Sequence, residues 1–345
     1  METIISSLAT QLVCSIEHAS DVAAARREGQ KLADSLGFSE TRAGMLALVV
    51  TEAATNVLKH ADRGVIHIGP VQSGAGVGID VLVLDEGPGI TDLSASLVDG
   101  MSTAGTAGTG LGAMRRQADE FDVYSQPGKG TAFFMRLWRD LPPPDPCGLE
   151  VGALLTPLAG EDECGDGWGV RSEAGGATLL AADGLGHGPH AARASAAAIG
   201  VLAKPAASAS DVVQAAHDAL RGTRGAALAV ARIDYAGDEL RFAGIGNIAG
   251  YVFDDSRRAL VSHNGIVGHN MRKVQEFSVP FGPGATCILH SDGIQTQWDL
   301  DKYPGLLGHS PALVAAVLMR DFIRRRDDAM VLVVRRTAGF PGTPA

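Results

Sequence analysis

Cysteine is scarce in this chain of 345 residues, with four at Cys14, Cys147, Cys164 and Cys287, and none has the paired spacing of a zinc site. That scarcity excludes a disulfide scaffold and fits reduced thiols in a cytoplasmic protein. A basic stripe is also missing. The formal net charge is -10, so nothing is available to neutralise a nucleic-acid backbone. The one basic cluster, Arg324 to Arg326, runs into Asp327 and Asp328, as a solvated helix end does. No apolar run approaches the ~20 residues of a membrane span, and the opening METIISSLATQLVCSI carries Glu2 where an export signal needs positive charge. Nucleic-acid and membrane partners are not expected, a soluble cytoplasmic protein is, and no internal repeat is present.

Glycine, by contrast, is abundant, at 44 of 345 residues against a usual share of ~7%. Much of the excess lies in loops that read as sites of close backbone approach. Residues 140–148, DLPPPDPCG, form the clearest break, because consecutive prolines remove backbone donors and hold the chain extended. The expected division is a domain at 1–139, a linker at 140–148, a second domain at 149–337 and a disordered tail at 338–345.

The two parts differ in pattern. Apolar spacing predicts helices over 18–36, 39–61 and 111–119, with strand-like runs at 64–71, 77–84, 121–126 and 131–138. This is the pattern of a two-layer α/β sandwich, with helices on one face of a mainly antiparallel sheet. Beyond the prolines, short strand-like runs dominate at 151–156, 167–172, 177–182, 227–233, 239–244, 249–254, 286–290 and 329–335. Helical stretches at 188–203, 209–221 and 310–323 interrupt them, so two sheets flanked by helices are expected, and the chain as a whole is α+β.

Three motifs in the first part carry chemistry. In LVVTEAATNVLKHA, one helical face presents Glu52, Asn56 and either Lys59 or His60. VLVLDEGPGI puts Asp85 at the end of a buried-looking strand, where a carboxylate can accept from an exocyclic amine such as that of adenine, and Gly87 and Gly89 can turn tightly about a ligand. TAGTAGTGLG brings Gly108, Gly110, Leu111 and Gly112 to a helix start, where backbone N–H groups are free to cradle phosphate, although the P-loop lysine is missing. Each motif alone also fits an ordinary amphipathic helix, strand-end turn or loop. Together, in this order, they resemble the N, G1 and G2 boxes of the GHKL ATPase superfamily. The stretch DGMSTAGTAGTGLGAMRRQADEFDVYSQPGKGT is similar, more narrowly, to the RsbT-type serine kinases, which phosphorylate STAS-domain regulators of stress-response sigma factors. The resemblance spans about residues 5–138. It implies ATP and Mg2+ as cofactors, Asn56 as the Mg2+ ligand, Glu52 as general base on a protein hydroxyl, Asp85 as adenine reader and Thr131 in support of the adenine pocket. Lys59 would join the nucleotide-binding face, and His60 reads as a residue of the helix surface.

The second part carries a different set. Hard divalent cations take oxygen ligands, so a site for two of them needs several carboxylates converging from different strands. The candidates are Asp166 in CGDGWGV, Asp183 with Gly184 in AADGLGHG, Asp292 in HSDGIQ, and Asp327 with Asp328 in RRDDAMVLVV. A single Asp-Gly is more often a turn than a ligand. The order GD, DGLGHG, GIGN, SDG and DD over about 149–336 resembles the SpoIIE branch of the PPM-type metal-dependent protein phosphatases, and especially its RsbX-type members. The resemblance implies a PPM-type β-sandwich in which Asp166, Asp183, the Gly184 carbonyl, Asp292 and Asp327 hold two Mn2+ or Mg2+ ions, for in-line attack by hydroxide on phosphoserine or phosphothreonine. Met330 departs from the threonine of many relatives without removing a ligand. His187 reads as a loop residue that could instead donate a proton, and Gly246 and Asn247 as a turn near the site.

A chain with both sets of parts is expected to be a bifunctional kinase and phosphatase acting on STAS-domain proteins. The alternatives are an ATP-binding module that sequesters a partner, and a phosphatase gated by nucleotide without kinase activity.

Overall fold

The computed structural model describes residues 3–6, 11–73, 76–96, 110–140, 148–271 and 274–337. The chain forms two compact units that exchange segments. One comprises residues 9–144 and 299–320, the other residues 1–8, 145–298 and 321–345. The division drawn from the prolines assigns residues 1–8 and 299–320 to the opposite parts. Residues 141–147 of the proline-rich stretch and the tail at 338–345 lie outside the described residues.

After β1 (Thr3–Ser6), which belongs to the other unit, the first unit runs β2 (Leu12–Ile16), α1 (Ala19–Ser35), α2 (Glu40–His60), β3 (Gly64–Ser73), β4 (Gly76–Asp85), α3 (Leu93–Ser96), α4 (Gly110–Gln117), β5 (Glu120–Gln126) and β6 (Gly130–Trp138). The sheet is antiparallel throughout, in the order β2-β3-β4-β6-β5. Alternation decides its faces. Ile66 and Ile68, then Ile79, Val81 and Val83, then Phe133, Met135 and Leu137 all enter one core. The helices meet that core with residues at three- and four-residue spacing, Leu46, Val49, Val50, Ala53 and Val57 on α2. Ser39 caps α2 by accepting from the Arg42 amide at 3.3 Å. This is the expected two-layer sandwich.

The second unit contains β7 (Leu149–Thr156), β8 (Asp166–Glu173), β9 (Gly176–Gly184), α5 (Pro189–Gly200), α6 (Ala209–Ala219), β10 (Ala226–Asp234), β11 (Glu239–Ile245), β12 (Ala249–Phe253), β13 (Arg257–Leu260), β14 (Phe277–Pro280), β15 (Thr286–His290) and, after α7 (Pro311–Phe322), β16 (Ala329–Arg336). Its sheets run β1-β8-β9-β10-β11-β14 and β13-β12-β15-β16-β7. Period-two burial again sorts the side chains. Leu179, Ala181, Ala229 and Ala231 face the core between the sheets, together with Phe242, Leu289 and Leu332. Their neighbours Leu180, Ala182, Leu228 and Val230 face a second core under α5 and α6. The result is the β-sandwich flanked by helices that the patterning predicts.

Most of α7 groups with the first unit. There the His309 ring meets Asp122 Oδ1 at 2.8 Å, the Ser310 amide donates to Asp122 Oδ2 at 2.7 Å, and the buried Arg320 donates to the Asp85 carbonyl at 3.2 Å. Among the described residues no helix is long and apolar enough to cross a membrane. Cys14, Cys164 and Cys287 are free thiols, and burial pushes that of Cys287 up to about 12.

Phe242 is fully buried in the inter-sheet core. Phe242→Ala is expected to cost about 3–5 kcal/mol of stability, read as a lower urea midpoint of the second unit's transition. An unchanged midpoint would contradict the assignment of that core.

Candidate functional site

In the first unit, β4 ends at Asp85, whose carboxylate is nearly inaccessible. Its Oδ1 accepts from the Gly87 amide at 2.9 Å and from the Thr131 amide at 3.1 Å. Burial raises its pKa, and those two amides, with Arg320 and His60 nearby, work against the rise. Gly89 has φ of +72°, and a Cβ there would come within 2.4 Å of the Gln126 carbonyl, so the turn admits no side chain. Thr131 is buried, with its hydroxyl 3.0 Å from that of Ser125, and Ser125 Oγ in turn accepts from the Ile90 amide at 2.7 Å. Ser125 is a support that the sequence reading missed. It lies opposite Thr131 in the β5–β6 register, which no local motif discloses.

Glu52 and Asn56 sit half-buried on α2, with Lys59 and His60 exposed in its last turn. Among the described residues neither Glu52 nor Asn56 has a hydrogen bond or ion pair within the protein. Gly108 and most of the glycine-rich loop lie outside the described residues. Gly110, Leu111 and Gly112 form the first turn of α4, with Leu111 packed on the core.

In the second unit the acids come from strand ends distant in sequence. Asp166 opens β8 directly opposite Asp183 near the end of β9, as Cα partners in the ladder. Asp292 follows β15, and Asp327 and Asp328 precede β16, its ladder neighbour. Asp166 is buried, and its Oδ2 has no hydrogen-bond partner. Burial and then the charge of Asp183 drive its pKa well up, the Ser291 hydroxyl works against this, and Asp328 and Asp292 add to the rise. Asp183 is raised to about 7, by burial first and then by Asp292, Asp327 and Asp328. Asp292 Oδ2 accepts from Asn247 Nδ2 at 2.7 Å, so GIGN reaches the site through a side chain as well as a turn.

Asp328 does something different from its neighbour. It is buried, and its two oxygens accept from the Leu158 amide at 2.8 Å and the Gly165 amide at 2.9 Å, which ties two loops to the start of β16. Asp327 is exposed and accepts from the Asp328 amide at 2.9 Å. Ser291 Oγ accepts from the Met330 amide at 3.0 Å, while the Met330 side chain lies in the sandwich core. Gly184 is an unavoidable glycine, since a Cβ there would fall 2.2 Å from the Ala191 carbonyl. His187 is exposed and pairs with Glu161 at 2.6 Å. Asp328 as bracket and Ser291 as partner of Asp166 had only weak sequence signals, the second acid of DD and the first residue of SDG.

The donor set, carboxylates with one unpartnered buried oxygen, suits a hard divalent cation. As they stand, no three His, Cys, Asp or Glu side chains among the described residues are arranged to hold an ion. Like charges do not converge unaided, and Asp292 is turned to Asn247.

This crowding has a pH signature. Asp183 ionises near 3.8 in the unfolded chain and near 7 when folded. Between those values the unfolded chain releases a proton that the folded chain keeps, so folding loses stability as pH rises through that window, completely above about 7. Chelator-treated protein is expected to melt at a lower temperature at pH 8 than at pH 5.5, and Asp183→Asn to shrink the difference. Equal pH slopes in the two proteins would refute it.

Comparison with known proteins finds a match in each part of the chain. Residues 17–137 match the histidine kinase-like ATPase domain, and residues 173–337 match Stage II sporulation protein E (SpoIIE). The serine/threonine-protein kinase RsbT of Bacillus subtilis (strain 168) is 35% identical over 118 residues, which is 34% of this chain and 89% of that protein. A chain from a structural study of the bacterial stressosome, as a modular system adapted to control secondary messenger signalling, is 30% identical with a TM-score of 0.52, covering 54% of this chain and 99% of that one. The PP2C phosphatase domain with a fragment of the regulatory domain of SpoIIE from Bacillus subtilis is 19% identical with a TM-score of 0.46, over 76% of this chain and 80% of that one. The chain therefore belongs, through its first part, to the family of the RsbT serine/threonine-protein kinases, with a histidine kinase-like ATPase domain at residues 17–137, and carries a SpoIIE domain at residues 173–337.

Proposed function

We propose that the chain is a bifunctional partner-switching regulator, an ATP-dependent protein serine/threonine kinase in its first domain and a metal-dependent phosphoserine/phosphothreonine phosphatase in its second, acting on STAS-domain proteins of a stress or sigma-factor pathway. The observation that carries the phosphatase half is the buried, unpartnered Asp166 Oδ2 among the carboxylates of Asp183, Asp292, Asp327 and Asp328. The kinase half is supported by the likeness to RsbT and by the geometry of Asp85 and α2. The STAS partner is supported by that likeness and by the likeness to a stressosome chain.

In the first domain Asp85 binds the adenine amine through Oδ2, because Oδ1 is engaged by two backbone amides. Thr131 shapes that pocket, Gly87 and Gly89 let the base approach, Gly110, Leu111 and Gly112 offer amides to the phosphates at the start of α4, and Gly108 is assigned to the same phosphates. Asn56 and Lys59 face the phosphates, Asn56 as the Mg2+ ligand. Glu52 takes the proton of the attacking serine hydroxyl as its oxygen bonds to the γ-phosphorus and ADP leaves.

In the second domain Asp166, Asp183, the Gly184 carbonyl, Asp292 and Asp327 are the ligands of two Mn2+ or Mg2+ ions. When bound, such ions polarise the phosphoryl oxygens and acidify a water. Asn247 orients Asp292, Ser291 orients Asp166, and Asp328 keeps the loops of Leu158 and Gly165 in place. The two activities serve a switch when they address different phosphosites or alternate in time, since together on one site they only hydrolyse ATP.

Incubation with a STAS partner and labelled ATP tests both halves. Glu52→Ala is expected to slow label transfer at least about a hundredfold, the usual contribution of a general base. Asp292→Asn is expected to leave transfer intact and to abolish Mn2+-dependent release of label from the phosphorylated partner. Absence of transfer by the wild type would leave the sequestering module as the reading of the first domain, and unimpaired release by Asp292→Asn would overturn the metal assignment.

A further inference from the structure

We propose that Arg224 is the anchor for the substrate's phosphoryl group at the acidic site, gripping the phosphate oxygens of a phosphoserine or phosphothreonine side chain. The proposal rests on the phosphatase reading above and adds a residue to it.

Arg224 lies in the turn between α6 and β10, and that turn is held from several sides. The Thr223 amide donates to the Leu220 carbonyl at 2.9 Å, Thr223 Oγ1 donates to the same carbonyl at 2.7 Å, and the Gly225 amide donates to Thr223 Oγ1 at 3.0 Å. The His269 ring stands 3.2 Å from the Thr223 carbonyl. The turn is then tied to the acidic loop: the Leu185 amide donates to the Gly225 carbonyl at 3.0 Å, and Ala226 and Ala227 are the ladder partners of Gly184 and Asp183. The backbone is therefore fixed beside Asp183.

The side chain is not. Arg224 is exposed, and its guanidinium has no hydrogen bond or ion pair among the described residues. It lies directly over the 184–188 turn, since a Cβ on Gly186 would come 2.8 Å from its Nη1. The Gly186 carbonyl in turn lies 3.4 Å from where a Cβ on Gly165 would stand, and Gly165 precedes Asp166 and donates to Asp328. Elsewhere in this unit arginines take carboxylates, as Arg171 does Glu173, Arg241 does Glu239 and Arg258 does Asp254. Arg224, over the turn that follows Asp183, pairs with no carboxylate among the described residues.

A phosphate monoester entering this ring of carboxylates meets repulsion on every side not covered by cations. A planar guanidinium is the donor that matches two phosphoryl oxygens at once, and a fixed turn with a free head group presents it without prior unpairing. His187, the other nearby base, is taken by Glu161.

The test uses the full-length protein loaded with Mn2+, a phosphoserine peptide, and inorganic phosphate as a direct binding probe by calorimetry. Arg224→Ala is expected to raise KM for the peptide and to weaken phosphate binding about tenfold to a hundredfold, the range of a charge-assisted pair, with a smaller change in kcat and unchanged Mn2+ affinity. Arg224→Lys, which keeps the charge and loses the fork, is expected to recover part of the phosphate affinity. Phosphate affinity within about twofold of wild type in Arg224→Ala would overturn the proposal, as would loss of Mn2+ binding in that variant, which would show a role in building the site. A wild type that binds phosphate through Arg224 but hydrolyses no peptide supports the anchor and defeats the phosphatase reading.

Discussion

Repulsion between desolvated carboxylates is the constraint on which the second domain's architecture depends. Asp166 and Asp183 face each other across one ladder, and Asp292, Asp327 and Asp328 reach them from the ends of two inner strands of the other sheet. Burial and neighbouring charge raise the pKa of Asp166, Asp183 and Asp328, and the fold must hold these acids there against that cost. It does so with backbone donors and with sheet register. Asp328 is satisfied by two amides and thereby clamps two loops, while Asp166 is fixed by its place in the β8–β9 ladder and keeps one oxygen with no partner. The close approach at Gly184, where α5 returns its Ala191 carbonyl, leaves no room for a side chain that would push the ladder apart.

The first domain handles a buried carboxylate in the opposite way. Asp85 stands alone, and a single oxygen collects the amides of Gly87 and Thr131. One acid held by neutral dipoles can accept from an uncharged amine, whereas a crowd of acids calls for positive charge. The contrast between the nucleoside base and the divalent cations proposed as ligands follows from how many carboxylates share the space and what else they touch. The role proposed for Arg224 extends the same logic, because with cations on the inner side the remaining oxygens of a phosphoryl group would still need a donor on the outer side.

Much of this was legible in the chain. The helices at α1 and α2, the alternating runs of β4 and β6, and the buried strands β9 and β10 follow from periodicities that local burial imposes. The acids and glycines of the motifs were visible for the same reason, since a strand followed by Asp-Gly is a local signal. Less visible were β1, β13 and β14, each four residues long, too short to show a period and defined by the strand beside them. The placing of residues 299–320 with the first unit was equally hidden, because the contacts of Asp122 with His309 and Ser310 join positions almost two hundred residues apart.

The sequence by itself determined the two families of motif, the helix and strand periods and the excess of acids over bases, because these depend on neighbours within a few residues. Tertiary structure alone decided which acids meet, which of the paired aspartates is buried, that Asn247 reaches Asp292 and that Arg224 lies over the Gly186 turn. The reason is physical: burial, electrostatic coupling and unpaired hydrogen-bonding capacity belong to space shared by distant segments, and strand register sets that space.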